Sequence, residues 1–207
     1  MSHSQQIRFL NFIRETLPIY FKEKKVLEVG SLDINGSVRS MFVDCDYIGI
    51  DVADGKGVDL VVNGENLSGD ANSMDVVISC ECFEHNPEYD KTLLNMVRLL
   101  KRDGLMIMTC ATYGRGQHGT SLVSPESSPL TVQKGQDYYR NLIEDDFNFL
   151  VMNHFFGEYF FVTDYSNSDL YFVGLGREAD SMMLTELTKG KERAMHFYVE
   201  LARSGLR

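Results

Sequence analysis

Three short segments combine residue types that could do chemistry. The first is Glu28-Val29-Gly30, an apolar stretch that ends on glycine. A strand ending this way lets the backbone approach a ligand where a side chain would obstruct it. The second is Asp51, 23 residues after Glu28, at the end of Asp46-Tyr-Ile-Gly-Ile-Asp51. A carboxylate there can accept hydrogen bonds from two ribose hydroxyls. Together the two imply an adenosine-type cofactor. Each alone has a plainer reading, Gly30 as a tight strand-to-helix turn and Asp51 as a solvated strand end. The third segment is Cys80-Glu81-Cys82-Phe83-Glu84-His85. His85, with an unperturbed pKa of roughly 6.5, can take up a proton near neutrality, or it can serve only the fold. Glu81 can face a cofactor or a second substrate. Cys80 and Cys82 read first as packing residues. Their single-residue gap is not that of common zinc or redox motifs, so no metal is expected.

The elements that would position these groups alternate. Apolar spacing over residues 4–23 predicts a helix that Pro18 breaks. Strands are expected at 25–30, 46–51, 58–62, 75–80 and 105–110, with a helix over 88–101 that Asp103-Gly104 closes. A short helix over 37–42 has Ser37 as its cap. Residues 111–137 are rich in Gly, Ser and Thr, and a loop of that length is usually functional. A helix is expected over 138–147, strands at 155–162 and 170–175, and a final helix over 182–202. The order predicts an α/β fold with a mostly parallel sheet.

Composition narrows the classes. The chain has 207 residues, enough for one α/β domain. Its net charge of −10 argues against a nucleic-acid partner. No apolar run approaches the ~20 residues of a membrane helix, and residues 1–4 lack a signal-peptide pattern. Four cysteines, three of them in apolar surroundings, read as reduced thiols of a cytoplasmic protein. After Gly30 the next glycine is Gly36, a poor pyrophosphate cradle, which weighs against a nicotinamide-dependent oxidoreductase.

Val26-Leu27-Glu28-Val29-Gly30-Ser31 resembles the first motif of the class I S-adenosylmethionine-dependent methyltransferases, in particular the methyltransferase type 11 group. Tyr47 to Asp51 resembles the second motif. Val62-Asn63-Gly64-Glu65-Asn66-Leu67 resembles the family's G-D-A-E-N-L segment, with Asn63 in the place of the acidic residue. Asp75 to His85 resembles D-V-V-x-S-x-x-V-L-E-H, and Leu99 to Leu105 resembles L-L-K-P-G-G. The resemblance covers roughly residues 24–112. It departs in the first loop, where Leu32 and Ile34 replace two glycines of E-x-G-x-G-x-G.

The resemblance implies a Rossmann-like single domain over residues 1–207. Its seven-stranded, mostly parallel sheet would carry helices on both faces and an antiparallel last strand, Leu170 to Leu175. The cofactor-binding core would be about 24–112 and an acceptor-side loop about 111–145. S-adenosyl-L-methionine would be held by Glu28, Gly30, Ser31, Asp51, Asn63 and Cys80, with Asn63 open between an adenine contact and a turn residue. Glu81, Arg115, His118, Tyr138 and Tyr139 are candidates for the acceptor site, and His85 for the base. Tyr138-Tyr139-Arg140-Asn141-Leu142 resembles a Y-Y-R-N-L segment of some small-molecule or sugar-directed methyltransferases. A small-molecule or sugar-like acceptor, methylated on oxygen or nitrogen, is therefore expected. A non-catalytic scaffold on the same fold is the alternative. The run Phe155 to Phe161 reads as core and sheet surface, or as a face for a second copy in a homodimer.

Overall fold

In the computed structural model, which describes residues 4–205, seven strands form one sheet. They are β1 (Lys25–Val29), β2 (Asp46–Asp51), β3 (Leu60–Val61), β4 (Met74–Cys80), β5 (Leu100–Ala111), β6 (Phe156–Asp164) and β7 (Asp169–Gly176). Their order is β3-β2-β1-β4-β5-β7-β6. All neighbours are parallel except β7, which is antiparallel to both β5 and β6. The expected Rossmann-like α/β sheet with an antiparallel last strand is what forms. The central strands are apolar on both faces because both are covered.

One face packs under α1 (Ser4–Thr16) and α5 (Ser181–Gly205). Phe9, Leu10 and Ile13 of α1 meet Val26, Ile78, Ile107 and Val173 of the sheet. Phe9 stacks on Tyr171 with ring centroids 4.4 Å apart. Leu187, Ala194 and Tyr198 of α5 join the same core, at helical spacing. The other face packs under α2 (Tyr89–Leu99) and the segment around Leu142, Phe147 and Leu150. Two short helices, α3 (Pro129–Gln133) and α4 (Met152–Phe155), lie in the connection from β5 to β6. Ser37 caps the single 3-10 turn Val38–Met41, its Oγ accepting from the Arg39 amide.

Three elements differ from expectation. β3 is two residues rather than five. β5 begins at Leu100, so Asp103-Gly104 lies inside a strand instead of closing a helix. The register shifts there between Met74 and Val76, and Tyr20 Oη and the Glu178 amide donate to the carbonyls of Asp103 and Arg102. Residues 138–143 form neither helix nor strand, and only Glu144–Phe147 forms a 3-10 turn. The amides of Arg140 and Leu142 donate to the carbonyls of Glu84 and Ala111, ties that a helix over 138–147 would have to break. No helix among the described residues is long and apolar enough to cross a membrane.

Candidate active site

Strand alternation decides which side chains meet. Val26, Ile78 and Ile107 face α1, so Glu28, Cys80 and Thr109, two residues further on, face it too at the carboxyl ends of β1, β4 and β5. There a cleft opens, lined by residues that include Glu28, Gly30, Ser31, Asp51, Asn63, Cys80, Glu81 and His85. In open α/β sheets ligands sit at this edge. Of the expected cofactor residues, all six line one cavity.

The turn after β1 is tight. Gly30 has φ +80°, and a Cβ there would come within 2.6 Å of Cys82 Cβ and Sγ. Glycine is required because the turn after β4 packs directly against it. The amides of Gly30 and Ser31 both donate to the Ile50 carbonyl. They therefore brace β1 against β2. Asp51 faces the same turn. Its Oδ2 accepts from the Leu32 amide at 3.1 Å and its Oδ1 from the Val52 amide at 2.8 Å. Each oxygen keeps a lone pair for a ligand hydroxyl. Burial raises the Asp51 pKa, and the two amide bonds oppose the shift.

Glu28 accepts from Tyr47 Oη at 2.9 Å. Burial pushes its pKa up to about 7, against the Tyr47 hydrogen bond and the nearby Arg39. Burial also raises the Cys80 and Cys82 thiols, so both stay protonated. Asn63 Nδ2 donates to Glu65 Oε1 at 3.0 Å, and Glu65 lines the cleft beside it. Glu65 is further fixed by Thr92, whose Oγ1 donates to Oε2 at 3.2 Å.

Glu81 is buried and has φ +52°, an uncommon conformation for a residue other than glycine. Thr109 Oγ1 donates to its Oε1 at 2.9 Å, and Gln6 Nε2 donates to Thr109 Oγ1 at 2.7 Å. The network Gln6–Thr109–Glu81 thus ties α1 to the cleft. Gln6 is a cleft residue that the sequence reading missed. Its signal was available, since it occupies the apolar stripe of α1 with Phe9, Leu10 and Ile13. Ser127, Leu130 and Thr131, also unanticipated, form a wall from the β5–β6 connection.

His85 lines the cleft, and burial lowers its pKa to about 4, leaving the imidazole uncharged at neutrality. That makes it a weaker base than its ordinary pKa suggested. His118 and Tyr139 lie behind it, with ring centroids 5.0 and 5.5 Å from His85. Neither they nor Tyr138 line the cleft. Arg115 turns elsewhere. Its guanidinium pairs with buried Asp169 at 3.0 Å and donates to the Asn167 carbonyl at 2.7 Å. As an acceptor contact it is displaced, because the fully buried carboxylate at the start of β7 needs a cation.

Residues 31–108 match the family model described as a methyltransferase domain. The sheet, with β7 inserted antiparallel between β5 and β6, superposes on solved methyltransferases. Phosphoethanolamine N-methyltransferase 2 of Haemonchus contortus, in complex with phosphomonomethylethanolamine and S-adenosylhomocysteine, is 15% identical with a TM-score of 0.57. The match covers 83% of this chain and 53% of that one. The chain has the class I methyltransferase fold. It spans about half the length of the Haemonchus contortus methyltransferase. The same fold carries 1,6-didemethyltoxoflavin-N1-methyltransferase of Burkholderia thailandensis, 16% identical with a TM-score of 0.50 over 82% of this chain and 79% of that one. It also carries the [4+2]-cyclase SpnF, 18% identical with a TM-score of 0.54 over 81% and 64%. No curated protein sequence matches the chain.

Proposed function

We propose that this protein transfers a methyl group from S-adenosylmethionine to a small-molecule or sugar-like acceptor, through oxygen or nitrogen. The observation that carries the reading is the convergence of the Gly30 turn and the Asp51 carboxylate on one cleft at the carboxyl edge of β1, β2 and β4. Asp51 would accept from the ribose hydroxyls, while Asn63 and Glu65 would border the adenine. Glu28, Ser31 and Cys80 would surround the methionine end. Glu81 would stand at the junction of cofactor and acceptor. The relatives of this fold that bind phosphomonomethylethanolamine and 1,6-didemethyltoxoflavin make a small acceptor reasonable.

The cofactor supplies an already activated methyl group on a sulfonium carbon, so the chain's task is orientation and exclusion of water. The cleft suits a cation. Glu28, Asp51, Glu65, Glu81 and Glu88 line it, and no Lys or Arg does among the described residues. The same charge disfavours a phosphate-bearing acceptor. His85 borders the acceptor space with a ring that burial keeps uncharged.

Calorimetric titration with S-adenosylhomocysteine, with NADH as control, tests the reading. Binding of the first alone, lost in Asp51→Ala, supports it and justifies a turnover screen of acceptors. Folded protein that binds neither sinks it. A second reading, a protein on this fold that transfers nothing, is favoured by Leu32 and Ile34 in the first loop and by the engagement of both turn amides with Ile50. Cofactor binding without turnover on any acceptor is what it expects.

A further inference from the structure

We infer that Glu84, His85 and His118 form a binding site for one divalent transition-metal ion beside the acceptor end of the cleft. One donor atom from each lies within 4.8 Å of the other two. Glu84 and His85 leave the turn after β4, and His118 comes from the loop after β5, 33 residues later in the chain. Only the fold brings them together.

Three observations point to a ligand there. Glu84 is fully buried, and neither carboxylate oxygen has a hydrogen-bond partner in any other residue. Arg115, whose charge acts on it, is committed to Asp169 and Asn167. A buried carboxylate without a partner is a costly arrangement that a cation relieves. His85 is buried too, and its Nδ1 is also without a partner, while the backbone of Tyr138 hydrogen-bonds the ring. That bond must then fall on the other ring nitrogen, which leaves Nδ1 as a bare lone pair. In His118, Nδ1 lies 3.0 Å from the Gly116 carbonyl, so Nδ1 carries the proton and Nε2 the lone pair. A histidine that donates one N–H to a backbone carbonyl and offers the other nitrogen is the usual arrangement of a metal ligand. Here both histidines have it.

The surroundings hold the donors in place. Gly119 has φ +65°, and a Cβ on it would come within 2.5 Å of His85 Cε1. Glycine is what lets the His118 loop lie on the His85 ring. Tyr139 packs over both imidazoles, with ring centroids 5.5 Å from His85 and 4.8 Å from His118. Two imidazoles and one carboxylate suit Zn²⁺, Fe²⁺ or Mn²⁺ better than Mg²⁺, and three protein donors leave coordination positions open. Because His85 also lines the cleft, the ion would stand behind it and hold its ring in place against a bound acceptor. This last role rests on the proposed methyl transfer, whereas binding of the ion does not.

The test uses tag-free, chelator-treated protein dialysed against Zn²⁺, with Mn²⁺ and Mg²⁺ in parallel, followed by metal analysis. One Zn²⁺ per chain is expected, with Mg²⁺ retained poorly. His118→Ala and Glu84→Gln should each weaken Zn²⁺ binding at least tenfold and abolish the rise in melting temperature that Zn²⁺ produces. His118 is only half-buried, so its variant remains informative if Glu84→Gln fails to fold. Titration with S-adenosylhomocysteine should be unchanged in His118→Ala, which separates failure of this site from failure of the cofactor reading. Substoichiometric Zn²⁺ in the wild type, or equal Zn²⁺ affinity in wild type and His118→Ala, overturns the inference.

Discussion

Burial sets the behaviour of the individual titrating residues. Glu28 has its pKa raised from 4.5 to about 7. The folded state therefore holds a proton that the unfolded state has released across this interval, and stability falls as pH rises through it. The contribution is complete below about pH 4.5 and gone above about pH 7. Its scale is about 3 kcal/mol, from about 1.4 kcal/mol for each tenfold change in proton affinity. Glu28→Gln removes the titration and can still accept from Tyr47. Urea unfolding at pH 5 and pH 8 should show the variant gaining on the wild type by roughly 1–3 kcal/mol between the two; a constant difference would mean that Glu28 does not titrate there. Asp51 stands differently, since two backbone amides hold its oxygens. Asp51→Ala should weaken S-adenosylhomocysteine at least tenfold, consistent with the roughly 1.5–3 kcal/mol of hydrogen bonds to a charged group. The check is calorimetric titration beside a melting curve.

Among the elements, the turns after β1 and β4 form one unit. Gly30→Ala would add a Cβ 2.6 Å from Cys82 and force alanine to φ +80°. A loss of about 2–4 kcal/mol in denaturant unfolding is expected, from backbone strain plus overpacking. A near-neutral result would mean that the two turns move apart freely. Helix α1 contributes to the cleft as well as to the core. Gln6→Ala would remove the shorter of the two hydrogen bonds that Thr109 Oγ1 accepts, leaving the Glu81 amide at 3.3 Å, at a cost of about 1 kcal/mol. It should also weaken cofactor or acceptor binding by releasing Glu81, seen as a higher KM once an acceptor is known. The segment 138–143 is an element whose local preference was overridden. Tyr138 to Leu142 reads helical in isolation, yet its amides bond to Glu84 and Ala111. Those tertiary bonds bring Tyr139 onto the two histidines.

For the whole molecule, the charge of −10 and the carboxylate-lined cleft act together. The sulfonium of S-adenosylmethionine is cationic, and the thioether of S-adenosylhomocysteine is not. Association of the first should slow more steeply with ionic strength than association of the second, because steering by net charge is screened beyond a Debye length of about 10 Å at 0.1 M salt. Stopped-flow measurements at 20 and 300 mM salt would decide it. Equal salt dependence would mean that the cleft exerts no field on the ligand.

Much of the fold was legible because it rests on local and periodic signals. Buried strands such as Asp75 to Cys80 are continuous apolar runs, and α1 and α2 carry a 3.6-residue stripe. The glycine of a φ +80° turn and a carboxylate at the end of the next strand are also local features. That is why Gly30 and Asp51 could be read together from their positions in the chain, whereas Glu28, Ser31, Asn63 and Cys80 were implied only by the family resemblance. The tertiary structure alone decided the rest, since it depends on contacts between residues distant in sequence. Gln6 reaches the site through a hydrogen bond to a residue 103 positions away. Arg115 leaves it for Asp169, 54 positions away. No local pattern encodes the desolvation that lowers the His85 pKa, nor the approach of His118 to Glu84 across a glycine that must lack a side chain. Periodicity specifies which face of an element is buried; what that face meets is fixed only when the sheet closes over it.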